Sequence, residues 1–491
     1  MTVRATVGLV GLAVALCGLP AGAQGAAKTA AGGDVDTIPV LMLSDLHFDP
    51  FRDGAKVARL AAAPVAEWDA ILTEPNSESQ ATDFAALQVT CGAVKGVDTD
   101  HGLLSASLKA ARTQGVGVKF VTISGDLLVH QFDCRYKTVM KADDKAGYAA
   151  FAEKTASYVM MQVEATFPGV PVYLALGNND SSCGDYKMDM HDRFFAGTSG
   201  AAIDGLRGAT AAETKQARVD YETGGYFAVT LPGPLKRTRL LAFDDIFMSR
   251  KYSGCGGKPD AKGAEDVLAW LGKELDAARE QGEQVWVMAH IPTGIDVYAT
   301  LRKGDVCSGT AAETFLSRET TDALLDLLAG HAGVIRLAIF GHTHMDEMKL
   351  LRRVGEAGLG GVPVKVVGSI SPVDGNLPSF TVARMNPATA IMEDYAVYVA
   401  SNKSGAGTWT REYGFKDTYH AGSFTGGALW DLVGGLHADT KGATAASQSY
   451  EQYFDPGSPI SPLVIAWPQY ACGMDHSSEA GFKACMCGAE K

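Results

Sequence analysis

The chain is poor in positive charge. Its 43 Lys and Arg face 56 Asp and Glu, for a formal charge of −13. That deficit excludes a nucleic-acid duplex as the main partner, because phosphate backbones are gripped by clustered Lys and Arg. Small anionic substrates stay open, since a bound metal reverses the local field. Beyond the N-terminal residues there is no apolar run long enough to span a bilayer. No internal repeat occurs, and no G-x-S-x-G nucleophile elbow. Gly254-Cys255-Gly256-Gly257-Lys258-Pro259 fails as a P-loop, because proline follows the lysine where a hydroxyl should meet magnesium. What remains is a 491-residue chain, 46% apolar, with ample material for a core; disordered and fibrous classes are excluded.

The N-terminus reads as an export signal over residues 1–23. Arg4 supplies the positive region, an apolar run extends from Ala5 to Leu19, and Ala21-Gly22-Ala23 offers an A-x-A cleavage site. The run is short for a membrane anchor and ends at Pro20. Cys17 would suit a lipoprotein only with a small residue before it, and Leu16 is bulky. A flexible leader follows at 24–37. The product is expected in the periplasm or the extracellular medium, as a monomer. Nine cysteines occur, and loss of Cys17 leaves eight, an even number that suggests disulfides in an exported chain. Cys91 with Cys134 and Cys255 with Cys307 are possible local pairs. Cys472, His476, Cys485 and Cys487 match no common zinc spacing, so disulfides are expected there too.

Length alone suggests about two or three domains, yet the motif spacing argues for one large domain, 38–400, and a tail. Within 38–400, short apolar runs end abruptly in polar residues: Pro39–Leu43, Val118–Ile123, Val170–Leu176, Leu240–Phe243, Gln284–Ala289, Arg336–Phe340 and Val364–Val367. Each has the length and composition of a buried strand. Amphipathic stretches at Ala146–Phe167, Ala264–Gln281 and Ala311–Leu328 read as helices. Strands alternating with helices predict a layered α/β domain. The long connections between His47 and Asp126, and between Asp180 and His290, are expected to wall a cleft. Beyond Ala400 the sequence turns Trp-, Tyr- and Gly-rich, and a mainly helical, disulfide-containing extension is expected over 401–491.

Five of the apolar runs deliver metal-ligating residue types at their C-terminal ends: Asp45-Leu46-His47, Gly125-Asp126, Gly177-Asn178-Asn179-Asp180, His290, and Gly341-His342-Thr343-His344. Ligands of open α/β sheets bind at the carboxyl ends of strands, so these groups would meet at one edge. Alternation along a strand would put both members of D-x-H and H-x-H on one side, and the glycines would permit tight turns and close approach. Seven oxygen and nitrogen ligands suffice for two ions that share one carboxylate. Imidazole, carboxylate and amide together suit zinc, manganese or iron. Two such ions can clamp a phosphoryl group and hold a hydroxide for in-line attack. His101, His191, His331, His420, His437 and His476 have no comparable context.

In this order the motifs resemble those of the calcineurin-like metallophosphoesterases. The likeness covers roughly Val40 to Pro372 and implies a four-layer αββα sandwich with a dinuclear metal centre. By motif, Asp45, His47 and His344 would bind one metal, Asn178, His290 and His342 the other, with Asp126 as the bridge. Ser44-Asp45-Leu46-His47-Phe48-Asp49-Pro50, Gly125-Asp126-Leu127-Leu128-Val129-His130 and Trp409-Thr410-Arg411-Glu412-Tyr413 narrow the resemblance to acid sphingomyelinase-like phosphodiesterases without a saposin domain.

The resemblance implies an exported metal-dependent phosphodiesterase for a small-molecule or lipid-headgroup phosphoester, attacked directly by a bridging hydroxide. The metals would be two divalent ions, with zinc favoured over manganese or iron. One departure stands out. Relatives carry GNH where this chain has Asn178-Asn179, and asparagine cannot supply a proton near neutral pH. His130 is then the candidate general acid, Asn179 a hydrogen-bond donor to phosphate, and Asp180 an orienting group. GNND also resembles the motif of endopolyphosphatases, so polyphosphate is a second substrate class. A non-catalytic metal- or phosphate-binding protein is the third reading.

Overall fold

Two six-stranded mixed sheets face each other. The computed structural model describes residues 36–92, 96–235, 237–353, 360–458 and 466–488. The expected export signal and nearly all of the expected leader lie outside them. The strands are β1 Ile38–Leu43, β2 Val121–Ser124, β3 Val172–Ala175, β4 Phe227–Thr230, β5 Thr238–Ala242, β6 Gln284–Met288, β7 Ile335–Phe340, β8 Glu347–Leu351, β9 Val362–Val366, β10 Ser379–Met385, β11 Met392–Ala400 and β12 Trp409–Gly414. One sheet runs β12-β11-β10-β1-β2-β3 and the other β4-β5-β6-β7-β9-β8. The first sheet is parallel from β1 through β2 to its edge at β3, and the second is parallel from β5 through β6 and β7 to β9. The remaining pairs, β1 with β10, β10 with β11, β11 with β12, β4 with β5 and β8 with β9, are antiparallel.

The parallel strands β2 and β3 are buried along their whole length and β7 at every position but Arg336, which is why they read as apolar runs. Phe120 meets Trp286 between the sheets at a ring separation of 5.6 Å. Helices cover the outer faces and complete the four-layer α/β sandwich. The helix Ala261–Gln281 shows how its sequence sets this. Val267, Leu271, Leu275 and Ala278 form its buried stripe, Asp260 caps its start through the Lys262 N–H, and Gly282 ends it at φ 63°. Each buried leucine contributes about 1.5–3 kcal/mol.

Three expectations change. The helix expected from Ala311 begins only at Arg318, with Ser317 as cap, because Thr314 and Leu316 are drawn into bridges with Ile295 and Ser249. The chain beyond Ala400 first adds the edge strand β12 to a sheet and only then turns helical. The disulfides are Cys91–Cys134, Cys183–Cys255, Cys307–Cys487 and Cys472–Cys485. Cys255 therefore pairs with Cys183, not Cys307, and Cys307 ties the last helix to the segment after β6. Asp475 holds His437 at 3.2 Å and His476 at 2.7 Å and pairs with Arg352, while Cys485 is consumed in a disulfide, which leaves the tail no zinc site of the kind weighed above. Among the described residues no helix is long and apolar enough to cross a membrane. Four disulfides mark a chain that folds in an oxidising compartment.

Candidate metal centre

The loops after β1, β2, β3, β6 and β7 converge where the two sheets meet. Backbone hydrogen bonds stitch them together: Asp45 N–H to Gly125 C=O at 3.0 Å, His47 N–H to Asp126 C=O at 2.9 Å, and Gly341 N–H to His290 C=O at 2.9 Å. Strand alternation is not what aims the side chains. Asp45, His47, Asp126, His342 and His344 all lie just past strand ends in the left-handed region, with φ of 47°, 40°, 55°, 73° and 63°. Such conformations cost about 1–3 kcal/mol each in a non-glycine residue. The stitched loops hold five of them in one place. Gly125 is required by a close approach: a Cβ there would lie 2.6 Å from His290 Nδ1.

Asp126 sits at the centre. Its Oδ2 is 3.5 Å from His47 Nε2 and 3.2 Å from His290 Nε2. On one side His47 Nε2 and His344 Nε2 approach to 3.1 Å, and Asp45 Oδ1 is 3.4 Å from His344. On the other, one ligand atom each from Asp126, His290 and His342 falls within 4.8 Å of the rest. Asn178 is buried, and its Nδ2 donates to Asp185 at 2.7 Å, which leaves Oδ1 buried without a hydrogen-bond partner. Ring orientation is fixed from behind. His47 Nδ1 donates to the Leu128 carbonyl at 2.8 Å and His290 Nδ1 to the Ser124 carbonyl at 2.7 Å. In the neutral rings both Nε2 atoms then carry lone pairs toward the centre.

Asn179 stands against the central carboxylate. Its backbone N–H and side-chain amide both donate to Asp126, at 2.8 and 2.9 Å, so it steadies that carboxylate. Asp180 ties the β2 and β3 loops together by accepting the N–H groups of Leu127, Leu128 and Gly177. His130 stacks on His47, with ring centroids 3.9 Å apart, and its Nδ1 is held by Asp98 at 3.1 Å. His130 and His342 are the part-exposed members of the cluster, which puts the opening there.

Burial and charge set the ionisation. Burial pushes Asp126 up, but His290 and His47 more than offset it and hold its carboxyl well below the usual range. Burial lowers His47 to about 3. Burial also opposes charge on His130, yet the Asp98 carboxylate beside it raises that imidazole to about 9. Burial and the nearby Asp126 push Asp180 up to about 7.

Four residues escaped the sequence reading: Asp98, Asp185, Tyr186 and Lys251. None belongs to a strand-end motif, and each reaches the centre from an insertion. Asp98 accepts the Ser371 hydroxyl at 2.7 Å as well as His130. The Tyr186 hydroxyl is 3.3 Å from His342 Nε2. Only the Gly-Asp-Tyr turn after the GNND motif hinted at the middle pair.

The donor set fits two divalent cations. It offers oxygens from Asp45, Asp126 and Asn178 and imidazole nitrogens from His47, His290, His342 and His344, converging on two clusters that share Asp126. The orphaned Asn178 Oδ1 is what a ligand awaiting a cation looks like.

No protein-family model matches the chain. Among curated proteins, a human acid sphingomyelinase-like phosphodiesterase is 21% identical over 335 residues, 66% of each chain. A mouse cyclic GMP-AMP phosphodiesterase is 24% identical over 314 residues, 61% of this chain and 64% of that protein. The chain thus spans just under two thirds of the length of these two relatives. Among solved structures, a dimetal phosphatase from Danio rerio aligns at 13% identity with a TM-score of 0.38, over 73% of this chain and 95% of that one. By sequence, this chain is similar to acid sphingomyelinase-like phosphodiesterases at 21–24% identity.

Proposed function

We propose that the chain is an exported, dinuclear-metal-dependent phosphoric ester hydrolase, a phosphodiesterase that cleaves phosphodiester or phosphoanhydride bonds. The observation that carries this is the place of Asp126, whose carboxylate lies between His47 and His290 and so joins two ligand clusters into one centre. Asp45, His47 and His344 would hold one ion, Asn178, His290 and His342 the other, and Asp126 would serve both. Zinc is the proposed metal, from the imidazole-rich donor set and the disulfides. Such ions supply Lewis acidity toward a phosphoryl oxygen and acidify water.

The chain's own residues do the rest. Asn179 keeps the shared carboxylate in register through two hydrogen bonds. His130 carries a proton at Nε2, because its Nδ1 side is held by Asp98, and it donates that proton to the departing oxygen. Water attacks directly, so turnover in labelled water leaves one solvent oxygen on the phosphate product.

The test is metal content per chain with turnover of bis-p-nitrophenyl phosphate, before and after a chelator and after zinc is restored. Two metals per chain and chelator-sensitive, zinc-rescued turnover are expected. Two metals with no turnover of any diester, monoester or anhydride would overturn the hydrolase and leave a binding protein. A panel of sphingomyelin, nucleoside triphosphates, cyclic dinucleotides and polyphosphate then identifies the leaving group.

A further inference from the structure

Beside the second ligand cluster lies an ammonium group that forms no salt bridge among the described residues, with Asp185 the carboxylate whose charge it feels. Lys251 is exposed and pairs with no carboxylate among the described residues, whereas its neighbour Arg250 is taken up by Asp296 and Glu313. Its Nζ lies 4.6 Å from the centroid of the Tyr186 ring and 3.3 Å from the Tyr186 hydroxyl. That hydroxyl is in turn 3.3 Å from His342 Nε2. The lysine is thus one phenol removed from the centre, on a chain whose net charge is −13.

Its backbone is fixed from three directions. Ser249 bridges to Leu316, next to the Phe315 ring that packs on His342. The Ser253 N–H donates to the Tyr186 carbonyl at 3.0 Å. The disulfide Cys183–Cys255 locks the same two loops together. The tyrosine is buried and the lysine exposed, so the ring is a platform and the ammonium is presented to solvent. A held, unpaired cation next to a phosphoryl site is a receptor for additional negative charge.

We propose that Lys251 binds a second anionic group of the substrate, one phosphoryl unit away from the phosphorus attacked, with Tyr186 as its positioning residue. The favoured substrate class is therefore the phosphoanhydride-linked polyanion, such as a tripolyphosphate chain, over a diester that carries a single charge. This rests on the hydrolase reading above and goes further by naming its substrate class.

The experiment compares kcat/KM for sodium tripolyphosphate and for bis-p-nitrophenyl phosphate in the full, metal-loaded protein and in its Lys251→Gln, Lys251→Arg and Tyr186→Phe variants. In Lys251→Gln the ratio of the two should fall about tenfold or more, through a higher KM for tripolyphosphate, as expected for loss of one charge-assisted contact. Lys251→Arg should restore most of the ratio, and Tyr186→Phe should lower it less than Lys251→Gln. A ratio unchanged in Lys251→Gln, or a loss expressed equally on both substrates or only in kcat, overturns the proposal. A native protein inert to both substrates overturns the hydrolase reading itself, and this one with it.

Discussion

Replacing Asp98 by asparagine removes the carboxylate that hydrogen-bonds His130. Asp98 is buried, receives His130 Nδ1 at 3.1 Å, and is itself fixed by the Ser371 hydroxyl at 2.7 Å. Its charge favours the protonated imidazole, so the His130 pKa is raised, and Asp98→Asn must lower it. An opposite charge at this range is worth about 1–3 pKa units. The form that donates a proton is the charged one, so the basic limb of the kcat profile should move acidward by that amount. At a pH above both values the protonated fraction scales with the shift, and kcat should fall about ten- to a thousandfold. At a pH below both values native and variant should nearly coincide. Cations on His47 would depress His130 in both proteins alike, so the prediction concerns the difference between them. The assay is kcat against pH with bis-p-nitrophenyl phosphate, alongside metal content to show the centre is intact. A loss of equal size at every pH would refute His130 as a proton donor poised by Asp98.

Two further predictions concern the scaffold. Lys365 and Asp346 form an ion pair with both side chains fully buried, and the Tyr413 hydroxyl donates to the same carboxylate at 2.6 Å. Lys365→Met should cost about 3–5 kcal/mol in urea unfolding because it strands that carboxylate, and adding Asp346→Leu should recover most of it; a single-variant loss under about 1 kcal/mol would contradict this. Glu213 closes a capping box with Thr210 and also accepts the Thr230 N–H. Burial raises its pKa, but the Thr230 and Thr210 hydrogen bonds outweigh that and bring it down to about 2. A depressed carboxylate stabilises the fold above its unfolded value of 4.5 and loses that effect as pH falls toward 2. Glu213→Gln should therefore cost about 1 kcal/mol at pH 7 and progressively less from pH 4.5 to 3; a cost independent of pH would count against it.

Much of the centre was legible because its residues sit in short motifs at the ends of apolar runs. Asp45, His47, Asp126, His290, His342 and His344 all arrive where a buried strand stops, and the strand-end rule for open α/β sheets brings such positions together. The parallel strands were legible for the same reason, being buried on both faces. The outer antiparallel strands were not. Met392–Ala400 carries charged Glu393 and Asp394 and alternates buried with half-buried residues, so it lacks the unbroken apolar look of its neighbours. The helix expected from Ala311 was over-read because local periodicity knows nothing of the partners that Thr314 and Leu316 find across the fold.

The order of residues carries the donor chemistry: which side chains can ligate a divalent cation, and that each follows a core strand. The packed fold sets how they aim, through five left-handed residues held by loop-to-loop hydrogen bonds rather than through strand alternation. It alone decided that Asn179 grips Asp126, that Cys183 is the partner of Cys255, and that Asp98, Tyr186 and Lys251 stand at the centre. The reason is physical. A ligand's chemistry is carried by its own side chain, but its orientation and its neighbours are set by segments far away in the chain, which come within reach only once the two sheets have packed.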